Sequence, residues 1–163
     1  MTKKGKYVMT AVLGAVAGIA AEETTIGKLR KKAMNRTKED SMKFHEFYSI
    51  LLQWVHMHNE GKKIGAYLKK CGYHTVAIYG MKELGEELLY ELKDSEVEVK
   101  YAIDRNADEL CSDACHVYRP EEELEPVDAV IVTAVHWFDD IERDMKKRVS
   151  CPILSLEDIV YEA

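Results

Sequence analysis

The chain has 163 residues, of which 47% are apolar, and this composition favours one globular domain with appendages. Its charge is unevenly spread. Residues 1–40 carry nine Lys and Arg against four Asp and Glu, so the net charge of −6 divides into +5 for this part and −11 for the remainder. An acidic body argues against nucleic acid as the main ligand, since duplex binding needs a cationic face. The basic amino-terminal part suits an anionic partner.

The four cysteines indicate a reducing, cytoplasmic setting. Cys71, Cys111, Cys115 and Cys151 lack the dense spacing of a disulfide-bonded secreted domain. Cys111, Cys115 and His116 have the spacing of half a zinc site, but such a site needs four ligands and no second pair stands at a matching distance. We therefore expect free cysteines and no bound metal.

Residues 7–21 form an apolar run after a basic start. As a helix these 15 residues would reach about 22 Å, short of the roughly 30 Å hydrocarbon core of a bilayer. Three interpretations stay open: a signal peptide, a weak membrane anchor, or a helix lying against a membrane surface or a partner. We expect residues 1–40 to be this apolar segment and a basic linker, in a cytoplasmic protein that the segment attaches to the inner face of the cell membrane.

Residues 41–72 are predicted to be helical, with one apolar stripe. Apolar and aromatic side chains recur there at i, i+3, i+4 and i+7: Phe44, Phe47, Tyr48, Leu51, Trp54, Val55 and His58. Such a stripe packs against the body or against a second copy, and we expect a homodimer through the 44–58 helix. A shorter helix over 64–70 follows.

Residues 73–163 alternate strands and helices, as in an α/β domain. The apolar runs VAIY (76–79) and AVIVTA (129–134) suit parallel strands that are covered on both faces. Further strands are expected at 97–103, 116–118 and 152–154, and helices at 83–93, 138–147 and from 157 onward. The expected fold is a small Rossmann-like three-layer sandwich with a mostly parallel sheet, preceded by an amphipathic helix and an N-terminal apolar helix.

The segment VAIYGMKELG, residues 76–85, carries glycines at the first and last glycine positions of G-x-G-x-x-G. Gly80 suits the tight turn and Gly85 the close packing of helix on strand. Asp104 follows Gly85 by 19 residues, where an acidic side chain accepts hydrogen bonds from a ribose, and Arg105 suits a phosphate. The candidate ligand-binding residues are Gly80, Met81, Lys82, Glu83, Leu84 and Gly85 in the loop, Asp104 and Arg105 after the second strand, and Thr133 and Ala134 on the opposite wall.

Lys82 departs from the motif, because the middle position is normally a glycine that lets the backbone approach a pyrophosphate. Its side chain obstructs a diphosphate in the usual pose, while its ammonium attracts a phosphate. We expect steric exclusion to dominate for a full dinucleotide. A monophosphate, a diphosphate shifted outward, or an empty crevice are the open alternatives.

The segments IYGMKELG, YAIDRN and DAVIVTA resemble the Rossmann-like domains of bacterial sugar-modifying proteins. They look like the amino-terminal module of sugar O-acyltransferases, the carboxy-terminal domain of sugar C-methyltransferases and the Rossmann domains attached to glycosyltransferases. The likeness covers residues 64–163. It implies a nucleotide or nucleotide-sugar ligand, or NAD(P), with Gly80, Met81 and Gly85 as phosphate-loop positions, Asp104 as the ribose contact and a role in surface glycan biosynthesis.

The catalytic residues that usually accompany this fold are missing. No tyrosine has a lysine four residues later, as the epimerases and reductases need. His136 and Asp139 are the only acid/base candidates near the expected crevice, and a loop histidine near a helix-capping Asp139 or Asp140 is the simpler explanation of them. We expect a non-catalytic nucleotide-binding module; the alternatives are a scaffold protein with a vestigial Rossmann fold and an NAD(P)-dependent oxidoreductase or epimerase.

Overall fold

Five parallel strands form the centre of the computed structural model, which describes residues 3–110 and 115–163, with residues 3–26 as helical backbone only. The strands are β1 Thr75–Tyr79, β2 Glu98–Ile103, β3 Val117–Tyr118, β4 Ala129–Val132 and β5 Ile153–Ser155. They are ordered β3-β2-β1-β4-β5, so that the central β1 pairs with both β2 and β4. The predicted α/β class with a parallel sheet is confirmed, and the strand order is compatible with a Rossmann-like domain.

The helices are α1 Lys3–Asn59, α2 Ile64–Lys70, α3 Glu83–Leu92, α4 Phe138–Met145 and α5 Leu156–Glu162. Each predicted element of the α/β part is present, with ends shifted by up to two residues. Gly61 follows α1 and Gly72 follows α2, both with the positive φ (75° and 88°) that commonly ends a helix.

The chain divides into two units, residues 1–45 and 46–163. In the first unit, residues 27–45 are helical and, except for Lys43, exposed, so the basic stretch predicted as a linker is part of a helix. Within the described residues, no helix offers a stretch long and apolar enough to cross a bilayer. The predicted membrane attachment through residues 7–21 lies outside the residues whose side chains the structure describes.

The core of the second unit has two parts, one on each face of the sheet. On one face, the buried residues of α1, α2, α3 and α5 pack against β1 and β2, whereas α4 covers the other face with Ile141 and Met145. All four residues of β4 are buried, because helices cover both of its faces. The result is a three-layer sandwich, as the sequence predicts.

The predicted apolar stripe of α1 divides into two. Ile50, Trp54 and Met57 are buried in the core, which confirms packing against the body for part of the helix. Phe44 and Tyr48 belong to the predicted stripe but are 71% and 53% exposed. The helix therefore carries a buried apolar face and an exposed one.

A single carboxylate joins α1 to α3. Glu91 Oε2 accepts a hydrogen bond from Trp54 Nε1 (2.5 Å) and lies 3.0 Å from His58 Nε2. Its Oε1 accepts a hydrogen bond from the Ile64 backbone N–H (2.7 Å) at the start of α2. The Glu91 side chain is only 8% exposed, so these donors supply the hydrogen bonds that water would otherwise provide.

We expect Glu91→Ala to lower the free energy of unfolding by about 2–4 kcal/mol, because it leaves the Trp54 indole N–H and the Ile64 amide without their acceptor. Urea denaturation followed by tryptophan fluorescence measures the change. Glu87→Ala, one turn earlier on α3 and exposed, is the matched control and is expected to stay within about 0.5 kcal/mol of the natural protein. Equal effects of the two substitutions would show that Glu91 does not anchor α1.

Candidate functional site

The candidate loop lies at the carboxyl end of β1, where the strand order of the sheet reverses. Strands β2 and β3 lie on one side of β1, and β4 and β5 lie on the other, so the connections diverge between β1 and β4. In open parallel sheets, ligands bind at this point, beyond the carboxyl ends of the strands. The predicted residues after β1, β2 and β4 are brought to this edge of the sheet.

Gly80 and Gly85 perform the two structural tasks that the motif assigns to glycine. Gly80 has a φ of 99°, and its N–H donates a hydrogen bond to the Ile103 carbonyl (2.8 Å). A Cβ atom on Gly85 would lie 2.0 Å from the Gly80 carbonyl oxygen, so only glycine allows α3 to approach the loop this closely. The loop is a tight turn packed directly against its helix.

Asp104 binds the loop itself. Its Oδ2 accepts a hydrogen bond from the Met81 backbone N–H and its Oδ1 accepts one from the Asn106 N–H, both at 2.9 Å. The residue is 8% exposed, and Met81 is 3% exposed. The carboxylate predicted to hold a ribose therefore holds the turn after β1 against the turn after β2.

Thr133 closes the space between β1 and β4. Its Oγ1 donates a hydrogen bond to the Gly80 carbonyl (2.6 Å) and also lies 3.1 Å from the Tyr79 carbonyl. A Cβ on Gly80 would lie 2.8 Å from that hydroxyl and 3.4 Å from the Cβ of Ala134. The walls of the predicted crevice touch each other here, so a diphosphate would have to lie outside them in this conformation.

Three of the predicted residues remain exposed at this edge: Lys82, Glu83 and Arg105. Helix α3 begins directly after Lys82, and no side chain caps its amino terminus. Lys82 and Arg105 each adjoin one member of the hydrogen-bonded pair Met81 and Asp104. Lys82 therefore precedes a helix terminus that no side chain caps, which favours an anion, whereas Glu83 and Glu86 in the first turn of α3 oppose one.

A cavity of about 830 Å³ opens from the same edge, on the face that α4 covers. It lies between the loop at residues 120–124 and α4, and its lining includes Tyr79, Arg105 and the cationic residues Lys147 and Arg148. Burial raises the pKa of the Tyr79 hydroxyl, although the neighbouring Arg105 guanidinium partly opposes that rise.

The charges of this cavity, here called the α4 cavity, are mixed. Glu121, Glu122, Glu123 and Asp144 also line it, and Asp144 accepts a hydrogen bond from Lys147 (2.8 Å). Within the described residues, no carboxylate lies within 4.0 Å of the Arg105 or Arg148 guanidinium groups. The Arg105 guanidinium instead lies beside the Tyr79 hydroxyl, and Arg148 is exposed.

The sequence did not reveal Tyr79, Lys147 and Arg148 as candidate residues. Tyr79 belongs to the strand run, and the sequence does not show that its side chain faces α4. The basic cluster at the end of α4 was a visible signal, but its position beside Arg105 depends on how α4 packs across the sheet.

The acid/base candidates do not pair with each other. His136 Nδ1 lies 3.1 Å from Glu46 Oε2 of α1, and Asp139 lies in the first turn of α4 without capping that helix. Among the described residues, no group of three or more His, Cys, Asp or Glu side chains could hold a metal ion. Cys115 and His116 are described, but Cys111 of the proposed half zinc site lies outside the described residues.

Comparison with models of known protein families, with characterised proteins and with solved structures found no match to the chain. The parallel sheet thus supports a Rossmann-like fold class, whereas the specific likeness to sugar-modifying modules rests on the sequence motifs.

We expect Asp104→Ala to lower the free energy of unfolding by about 2–3 kcal/mol, because the buried Met81 amide loses its acceptor. Asp104→Asn keeps one carbonyl oxygen and is expected to lose about half as much. Chemical denaturation measures both. Asp108→Ala, whose carboxylate makes only an exposed ion pair with Arg119, is the control and is expected to cost less than about 1 kcal/mol. An Asp104→Ala protein as stable as the control would refute the structural role of Asp104.

The loop that borders the α4 cavity is held by Tyr101, whose hydroxyl donates a hydrogen bond to the Glu125 carbonyl (2.6 Å). Burial of this phenol raises its pKa from 10.0 to about 12. Folding therefore favours the protonated phenol, and its contribution to stability is complete below pH 10 and is lost as the pH rises to about 12.

We expect the free energy of unfolding to fall between pH 10 and 12, and Tyr101→Phe to make that fall smaller. Tyr67 and Tyr79 contribute in the same direction, because hydrogen bonding to Glu162 raises the pKa of the first and burial that of the second. Denaturation at a series of pH values, with absorbance at 295 nm reporting the phenolates, measures the effect. Tyr90→Phe, at an exposed site, is the control and should leave the fall unchanged.

Proposed function

We propose that the chain is a non-catalytic module that binds a nucleotide or nucleotide sugar, with one phosphate at the amino terminus of α3. The observation that supports the proposal is the hydrogen bond from Met81 to Asp104, which joins the turn that carries Lys82, before the uncapped end of α3, to the turn that carries Arg105. A phosphate there would meet backbone amides, the positive end of the helix dipole and the Lys82 ammonium, which together must outweigh Glu83 and Glu86 in the first turn.

The size of the ligand follows from the closed wall between β1 and β4. The Thr133 hydroxyl donates a hydrogen bond to the Gly80 carbonyl in the turn, and Lys82 replaces the glycine that a dinucleotide site needs. The α4 cavity, at about 830 Å³, is in the range of about 300–1,000 Å³ that holds small ligands. The base or sugar of a mononucleotide ligand would enter this cavity beside Tyr79 and Arg105.

The wider role of this module is inferred from the motifs alone. The likeness of IYGMKELG and YAIDRN to modules of bacterial sugar-modifying proteins supports surface glycan biosynthesis as its setting. Attachment to the inner face of the cell membrane through residues 7–21 belongs to the same proposal, because the enzymes of surface glycan assembly act at that membrane.

Calorimetric titration of the full chain with UMP, UDP-sugars, AMP, CoA and NAD(H) tests the proposal. We expect binding of a mononucleotide or nucleotide sugar, with NAD(H) much weaker. Lys82→Ala and Arg105→Ala should each weaken that binding by about tenfold or more, since each removes a charge-assisted hydrogen bond. Lys146→Ala is the matched control, because Lys146 is exposed, pairs with Glu142 and does not line the cavity.

Two results would contradict the proposal. In the first, the natural chain gives no heat of binding with any of the ligands but Lys82→Gly does. This result would show that the natural loop is blocked. The other is binding that Lys146→Ala weakens as much as Arg105→Ala, which would indicate unspecific attraction by surface charge.

A second candidate function is a scaffold that carries a vestigial Rossmann fold. The contact between Thr133 and Gly80 favours it, because a crevice closed by the protein's own hydrogen bonds needs no ligand to satisfy it. The exposed apolar face of α1 gives such a scaffold a surface for partners. A chain that responds to none of the nucleotides, even with Lys82→Gly, would favour this function.

A further inference from the structure

An apolar groove of about 640 Å³ runs between α1 and α3, on the face of the molecule opposite to the α4 cavity. Phe47, Leu51 and Trp54 form its floor, and Val55 and Tyr90 line it as well. Tyr90 is 76% exposed and Val55 is 55% exposed, so the groove presents apolar surface to solvent. Seven of the ten large hydrophobic side chains described as exposed belong to α1, which identifies this helix as the main unpartnered apolar surface.

The rim of the groove is acidic. Glu83, Glu86, Glu87 and Asp94 line it, against the single cation Lys63. In the part of the chain that the structure describes, no cationic nitrogen lies within 4.0 Å of these four carboxylates. The groove thus combines an apolar floor with a negative rim that its own molecule does not neutralise.

The same chain carries a segment with the opposite properties. Residues 28–38 lie on α1 and contain six Lys or Arg and no Asp or Glu. Every one of these residues is exposed, and none of the six cations has a carboxylate partner within the described residues. Leu29 and Met34, which are 62% and 55% exposed, add apolar side chains to the basic segment.

We propose that residues 28–38 of a second copy of this chain dock in the groove, and that the two copies do this reciprocally. Apolar side chains of the segment then meet the apolar floor, and its cations meet the acidic rim. The contact is self-complementary, since each copy supplies one groove and one segment, and reciprocal exchange closes the assembly at two copies. Charge complementarity of this kind steers association and fixes register.

A second copy explains the observations better than an unrelated partner, because both complementary surfaces exist in one sequence. An anionic membrane would neutralise residues 28–38 but would leave the groove and its acidic rim uncovered. The proposal is independent of nucleotide binding, since Lys82, Arg105 and the α4 cavity contribute nothing to the groove.

Charge reversal tests the reciprocal arrangement with the full chain. The groove variant carries Glu87→Lys and Asp94→Lys, and the segment variant carries Lys31→Glu and Lys32→Glu. All four residues are exposed and make no described ion pair, so the fold should tolerate them, which circular dichroism checks. A control variant with Glu109→Lys and Glu125→Lys makes the same change of charge away from the groove.

Sedimentation equilibrium should show a dimer for the natural chain and for the control. Each variant alone should dissociate about tenfold or more readily, because its substitutions replace attractions across the contact by repulsions. A mixture of the two variants should form heterodimers more readily than either variant forms homodimers, since one of the two contacts then joins an unaltered groove to an unaltered segment.

Several outcomes would overturn the proposal. A natural chain that stays monomeric at micromolar protein concentrations would overturn it, whether the groove is empty or is filled by residues 28–38 of the same chain. Dimers that the two reversed variants leave intact would show that the copies meet elsewhere. A monomer that binds phosphatidylserine vesicles, and loses that binding in the segment variant, would assign residues 28–38 to a membrane.

Discussion

The close contact between the turn after β1 and the start of α3 is the constraint on which the functional edge of this protein depends. Because the Gly80 carbonyl lies where a Cβ of Gly85 would stand, α3 reaches the sheet at a distance that other residues forbid. The same carbonyl accepts the Thr133 hydroxyl, and the next amide, that of Met81, donates to Asp104. The residues that follow β1, β2 and β4 are thus hydrogen-bonded to one another at one turn, through backbone and side-chain groups that could otherwise bind a ligand.

The residues that match a dinucleotide-binding motif can serve either to bind a ligand or to build the turn, and the motif alone does not distinguish these two roles. Gly80 and Gly85 are needed for the turn and for helix packing whether or not a ligand binds, so their spacing is informative about fold and weak for activity. Asp104 has the expected position, yet its hydrogen bonds stabilise the loop. A binding role would have to come instead from the residues that this network leaves exposed, which are Lys82, Glu83 and Arg105.

The sequence predicted the fold well where one periodicity dominates. The runs at 76–79 and 129–134 have no polar face, which predicts strands that are buried on both sides, and β1 and β4 are the central strands. It could not divide the apolar stripe of α1 into a buried and an exposed face, because helical spacing shows which side chains share a face but not what packs against them. It also gave no signal for Glu91, since one glutamate on an acidic helix looks like its exposed neighbours until α1 packs over it.

The fold places the basic and the acidic residues of the chain on different surfaces. Residues 28–38 concentrate positive charge, while α3 carries glutamates at its first turn and along the groove beside α1. Negative charge in the first turn of a helix is favourable to its dipole, but Glu87 and Asp94 lie beyond that turn and gain nothing from it. They also repel one another across an apolar surface that is costly to leave in water. A basic, partly apolar segment relieves both penalties together, and a second copy of this chain supplies one without any further component.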